Sequence, residues 1–102
     1  MTAPPTSAIT LRALEGTPLA DAAIERMVTA TAHAIAERQG VAVHEVTTTP
    51  ERITVTLGCG RVAAMGFAAE LRRLTTNWYT SKYGAPTLWG EGGDPADAWK
   101  EA

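Results

Sequence analysis

Cysteine is almost missing from this chain. Cys59 stands alone among 102 residues, so no disulfide forms within the chain and packing and hydrogen bonds must hold the fold. Histidine occurs only at His33 and His44, far apart in sequence. One cysteine and two distant histidines lack the short ligand spacings of a zinc site, so no metal and no cofactor is expected. An excess of positive charge is missing too. Nine basic residues face eleven acidic ones, a formal net charge of −2, which excludes a chain built around non-specific polyanion binding and leaves room only for a local basic patch. No apolar run approaches the roughly 18–20 residues that cross a bilayer, and Met1–Pro5 has neither the basic nor the apolar part of a secretory leader. A cytoplasmic protein without membrane contact is the expectation.

Hydrophobic residues make up 45% of the chain and charged residues 20%, enough apolar material for one packed domain of ordinary size. Pro4, Pro5, Thr6 and Ser7 suggest a flexible tail over 1–7, a single domain over 8–83, and a Gly/Pro-containing aromatic tail over 84–102.

Within the domain, Ile9, Leu11 and Ala13 alternate with Thr10 and Arg12, the period of a strand. Thr17-Pro18 supplies a cap and a first helical residue, and Gly40 a left-handed stop. Between them Leu19, Ile24, Met27, Val28, Thr31 and Ile35 form one stripe. Threonine- and valine-rich arms over 41–49 and 52–57 flank Pro50-Glu51 as a hairpin. Val41 and Val43 are out of phase with Val46, which a bulge near His44 would reconcile. Gly58-Cys59-Gly60 then leads into a helix over about 61–82, with Met65, Phe67, Leu71, Leu74 and Trp78 as its apolar side. Gly66 inside that helix suggests a close backbone contact. Asp94-Pro95 reads as the start of a short terminal helix carrying Trp99.

The order β-α-β-β-α with a right-handed crossover predicts an α+β, two-layer βαββα unit. Its first two strands are parallel, the third lies between them, and both helices cover one face. This is the ferredoxin-like split βαβ topology lacking its last strand, followed by a short C-terminal helix or tail. The resemblance concerns topology and implies no activity. Such a sheet leaves an open edge, which points to a homo-oligomer.

Three functional readings arise. Five of the six aromatic residues lie from position 78 onward, beside Arg72 and Arg73. Aromatics and arginine dominate protein contacts, so Trp78, Tyr79, Tyr83, Trp89 and Trp99, with Arg72 and Arg73 at the rim, are the candidate surface of a non-catalytic interaction or self-assembly module. The alternative is a nucleic-acid accessory domain in which Arg72, Arg73 and Lys82 hold phosphate beside Tyr79 and Tyr83; Glu91, Asp94, Asp97 and Glu101 oppose it. The third is a small thiol enzyme on Cys59, placed between two glycines at a helix start where amides and dipole favour a thiolate. No second cysteine and no histidine spacing supports that chemistry, so an enzyme is the lesser expectation. The Gly58-x-Gly60 pair also lacks the remaining glycine of a dinucleotide fingerprint, with Ala63 in its place.

Overall fold

The computed structural model describes residues 5–84, 88–90 and 99–101. Strand β1 (Ser7–Arg12) leads through a short 3-10 turn (Pro18–Ala20) into helix α1 (Ala22–Gln39). Strands β2 (Ala42–Thr49) and β3 (Arg52–Gly58) form the hairpin, helix α2 (Arg61–Tyr83) follows, and strand β4 (Trp99–Glu101) ends the described chain. The βαββα unit expected from the sequence is therefore present, and β4 adds beside β1 the last strand that the sequence was expected to lack. The sheet order is β2-β3-β1-β4 with every neighbouring pair antiparallel, so β1 and β2 run parallel with β3 between them.

Two details of the chain start differ from expectation. Ser7, assigned by composition to a tail, is buried and opens β1, its hydroxyl donating to the Cys59 carbonyl at 3.0 Å. Thr17 makes no side-chain capping bond; the proline turn intervenes, and Asp21 caps α1 by accepting from the amides of Ala23 and Ile24. The carboxylate wins because Pro18 fixes a tight turn before the helix, which places Asp21 at the first free amides. Gly40 closes α1 at φ +70°, as its position suggested.

The expected bulge lies in the hairpin, where the register slips between Val43 and Glu45. Leu57 and Thr56 of β3 face the slip, and Gly58 pairs with Ala42 just beyond it, where a Cβ would meet the end of the His44 ring at 2.8 Å.

Alternate residues of β1 and β3 point at the helices. Ile9, Leu11, Ile53, Val55 and Leu57 are buried against Ile24, Val28, Ala32 and Ile35 of α1 and Ala64, Phe67, Ala68 and Leu71 of α2. Helix α2 is rotated relative to the stripe expected for it. Ala64, Ala68 and Thr75 face inward, Leu74 and Trp78 lie at the flank, and Met65 is exposed. Small residues win the inner positions because they let the helix axis approach the sheet, which a row of long side chains would prevent.

Gly66 consequently faces outward, and a Cβ there would touch nothing within 4 Å. The close contact expected at this position does not exist. Gly66→Ala is therefore expected to raise stability by about 1 kcal/mol through helix propensity alone, measured by urea denaturation. A loss of stability would show that something covers this face.

The final segments close the free edge of β1 in two pieces. Leu88–Gly90 lies along its C-terminal end, where the Leu14 amide donates to Leu88 O, the Gly90 amide donates to Arg12 O, and Ala13 bridges Trp89. Strand β4 pairs with the other end, Ile9 opposite Trp99. Trp99 thus opens a strand, where the sequence suggested a helix; residues 94–98, the expected start of that helix, lie outside the described residues. Among the described residues, no helix is long and apolar enough to cross a membrane.

Candidate functional site

The aromatic group singled out by the sequence divides in two. Trp89 is fully buried, and its indole N–H donates to the Thr75 hydroxyl at 2.8 Å, which itself donates to Leu71 O. It has no surface left for a partner and belongs to the core. Trp78, Tyr79 and Tyr83 gather at the end of α2, with ring centroids 6.0 Å apart for Trp78–Tyr83 and 5.0 Å for Tyr79–Tyr83. Lys82 Nζ stands 5.0 Å from the Trp78 ring centre. Tyr83 is 47% exposed, while Trp78 and Tyr79 are half-buried against the core. At 1.5 Å per residue, the 23 residues of α2 span about 34 Å, against about 23 Å for the seven of β3, so the aromatic group overhangs the end of the sheet.

The arginines are occupied as well. Arg72 donates to the Gly90 carbonyl at 2.6 Å, bracing the segment that carries Trp89. Arg73 pairs with Glu70 on its own helix. Neither stands as an uncommitted phosphate contact.

Cys59 is buried at the junction of β3 and α2, and burial pushes its thiol pKa up. A nucleophilic thiolate needs the opposite shift. Iodoacetamide is therefore expected to alkylate Cys59 in the folded protein at near-neutral pH roughly tenfold or more slowly than in the urea-unfolded chain. Equal rates would mean that the thiol is neither buried nor raised. His33 and His44 both line a groove of about 380 Å³ between α1 and β2, but no group of three metal-capable side chains forms among the described residues.

The side of the sheet away from the helices holds a set of residues to which the sequence reading gave no weight. Cross-strand register arranges them in rows. Arg12 stands opposite Arg52, which stands opposite Thr49. The next row is Thr10, Thr54 and Thr47, with the Thr10 and Thr54 hydroxyls 3.0 Å apart. The third is Ala8, Thr56 and Glu45, and Lys100 of β4 takes the position beside Ala8. Both arginines are exposed, and among the described residues neither guanidinium makes an ion pair or hydrogen bond. Like charges directly opposite on paired strands oppose folding by roughly 0.2–1 kcal/mol. Both line a cleft of about 480 Å³ at this end of the sheet, walled by the loop after β1 and the hairpin turn, with Glu15 and Glu51 also on its lining. The strand alternation marked Arg12 as outward-facing; its pairing with Arg52, forty positions away, is a matter of register.

No protein-family model matches the chain, and no curated protein matches its sequence. Among solved structures it is similar to one described as a candidate transposase from Deinococcus radiodurans R1, with a TM-score of 0.68. The match covers 96% of this chain and 76% of the other at 11% identity. That likeness is one of fold.

Proposed function

We propose that this domain is a non-catalytic module that binds single-stranded nucleic acid on the helix-free face of its sheet, at the end where Arg12 and Arg52 meet. The observation that carries the reading is the pair of exposed guanidinium groups on opposed positions that have no acidic partner among the described residues. Two like charges held together at a cost to folding become favourable once a phosphate lies between them. Hydroxyls of the adjoining threonine row offer neutral donors to the same backbone. Tyr83, Tyr79 and Lys82 lie at this end one layer away, where a base leaving the sheet could stack. A flat three-row face cannot enter the major groove of a duplex, which takes a helix or a narrow ribbon, and so favours a single strand. The similarity in fold to a candidate transposase, a name that implies contact with nucleic acid, points the same way. This reading keeps the nucleic-acid alternative drawn from the sequence and moves its phosphate contacts from Arg72 and Arg73 to Arg12 and Arg52.

The test is fluorescence anisotropy of a labelled single-stranded oligonucleotide across about 50–200 mM salt. Weak binding whose log–log salt slope is about −0.7, one phosphate held between the two guanidinium groups, is expected. No binding at the low-salt end, or binding indifferent to salt, would overturn the proposal.

Self-association is a second reading, favoured by one observation. The outer face of α2 exposes Val62 at 84% and Met65 at 38%, with Gly66 open between them. A second copy covering this face would bury apolar surface that the monomer leaves in water. Native mass spectrometry decides it: a dimer dispersed by Val62→Glu supports this reading, and a monomer removes it.

A further inference from the structure

We infer that the cleft lined by Arg12 and Arg52 takes the terminal phosphate monoester of a nucleic-acid strand, an inference that rests on the strand-binding reading above. The cleft lies at the end of the sheet rather than along it. Its two walls are tied together by the Ala13 amide donating to Glu51 O at 2.8 Å, so the hairpin turn and the loop after β1 close one side. A strand lying on the threonine rows would meet this cleft with its end.

The charges fit an end better than an interior linkage. A monoester carries about −1.5 to −2 at neutral pH, with a second ionisation near pH 6. An internal diester carries a single charge and has two of its oxygens blocked by ester bonds. Directly opposed positions on paired strands hold Cβ atoms about 4.5–5.5 Å apart, from which two guanidinium groups can grip one phosphate on different oxygens. The Thr49 hydroxyl accepts from the Glu51 amide at 3.3 Å, which leaves its own proton for a ligand oxygen. Glu15 and Glu51, the acidic groups on the cleft among the described residues, oppose any anion. Both arginines must therefore act together, and the loss of either removes the preference.

The experiment compares one oligonucleotide carrying a 5′-phosphate, a 3′-phosphate or neither. At neutral pH one phosphorylated form is expected to bind roughly tenfold more tightly than the unmodified strand. The preference should fall as pH drops below about 6 and the monoester takes up its second proton. Arg12→Gln and Arg52→Gln should each abolish it. Equal binding of all three strands would overturn the inference and leave strand binding standing. If no strand binds, the strand-binding reading fails and the cleft is read separately by NMR titration with inorganic phosphate. Amide shifts confined to Ala13, Gly16, Thr49 and Arg52 would support the phosphate site, and an unmoved spectrum would overturn it.

Discussion

Trp89→Ala is expected to destabilise the domain by about 3–5 kcal/mol, a large part of the roughly 5–15 kcal/mol that a domain of this kind has in total. The indole is fully buried, so its removal leaves a cavity lined by neighbours that cannot collapse into it. The same change deletes the Trp89–Thr75 hydrogen bond and loosens Leu88–Gly90, which completes the edge of β1 through Leu88 O and the Gly90 amide. Trp89→Phe keeps most of the ring and loses only the N–H donor and some volume, so about 1–2 kcal/mol is expected. Urea denaturation followed by circular dichroism separates the two. A near-neutral alanine variant would show that Trp89 is a surface residue after all, returning it to the contact group in which the sequence had placed it.

Arg12→Ala combined with Arg52→Ala is expected to do the reverse: weaken binding strongly while leaving stability unchanged or slightly higher. Removing both charges takes away the grip on the phosphate, so the salt slope should fall from about −0.7 towards zero. Affinity at low salt should drop by more than tenfold, since each charged hydrogen bond contributes about 1.5–3 kcal/mol. Because the two residues face each other across paired strands, they couple, and each single variant should already lose most of the effect. Relief of like-charge repulsion should meanwhile return a few tenths of a kcal/mol to folding. Oligonucleotide titrations and urea curves on the same samples check both halves. A double variant that binds as before would place the contact elsewhere, with the exposed Tyr83 and its neighbours as the next surface to change.

Local information in this chain ends where residues far apart in sequence begin to compete. Period-two alternation from Ile9 onward and in 52–57, the stop at Gly40, and the phase break between Val43 and Val46 are properties of neighbouring residues, and they sufficed for the strands and helices of the βαββα unit, though not for the start of β1 at Ser7. The order of elements, together with the handedness of the crossover, was enough for the parallel placement of β1 and β2. The same local logic erred where two caps competed. Thr17 and Asp21 both suit a helix start, and the proline turn decided between them.

Residue chemistry within about one turn of helix or one pleat of strand thus determined the elements, their order and the polar character of the helix-free face. Only the tertiary structure decided which aromatics are core. Trp78 and Trp89 look alike in sequence, and the difference is that Leu88–Gly90 is drawn against β1 by backbone bonds to Arg12 and Leu14, carrying its indole under Thr75. It also decided the turn of α2 that put alanines inside and Met65 outside, because the approach of a helix to a sheet depends on both surfaces at once. Finally, it set Arg12 against Arg52. Strand register is fixed by the sum of pairings along β1, β2 and β3, so two charges far apart in sequence become neighbours only when the sheet closes.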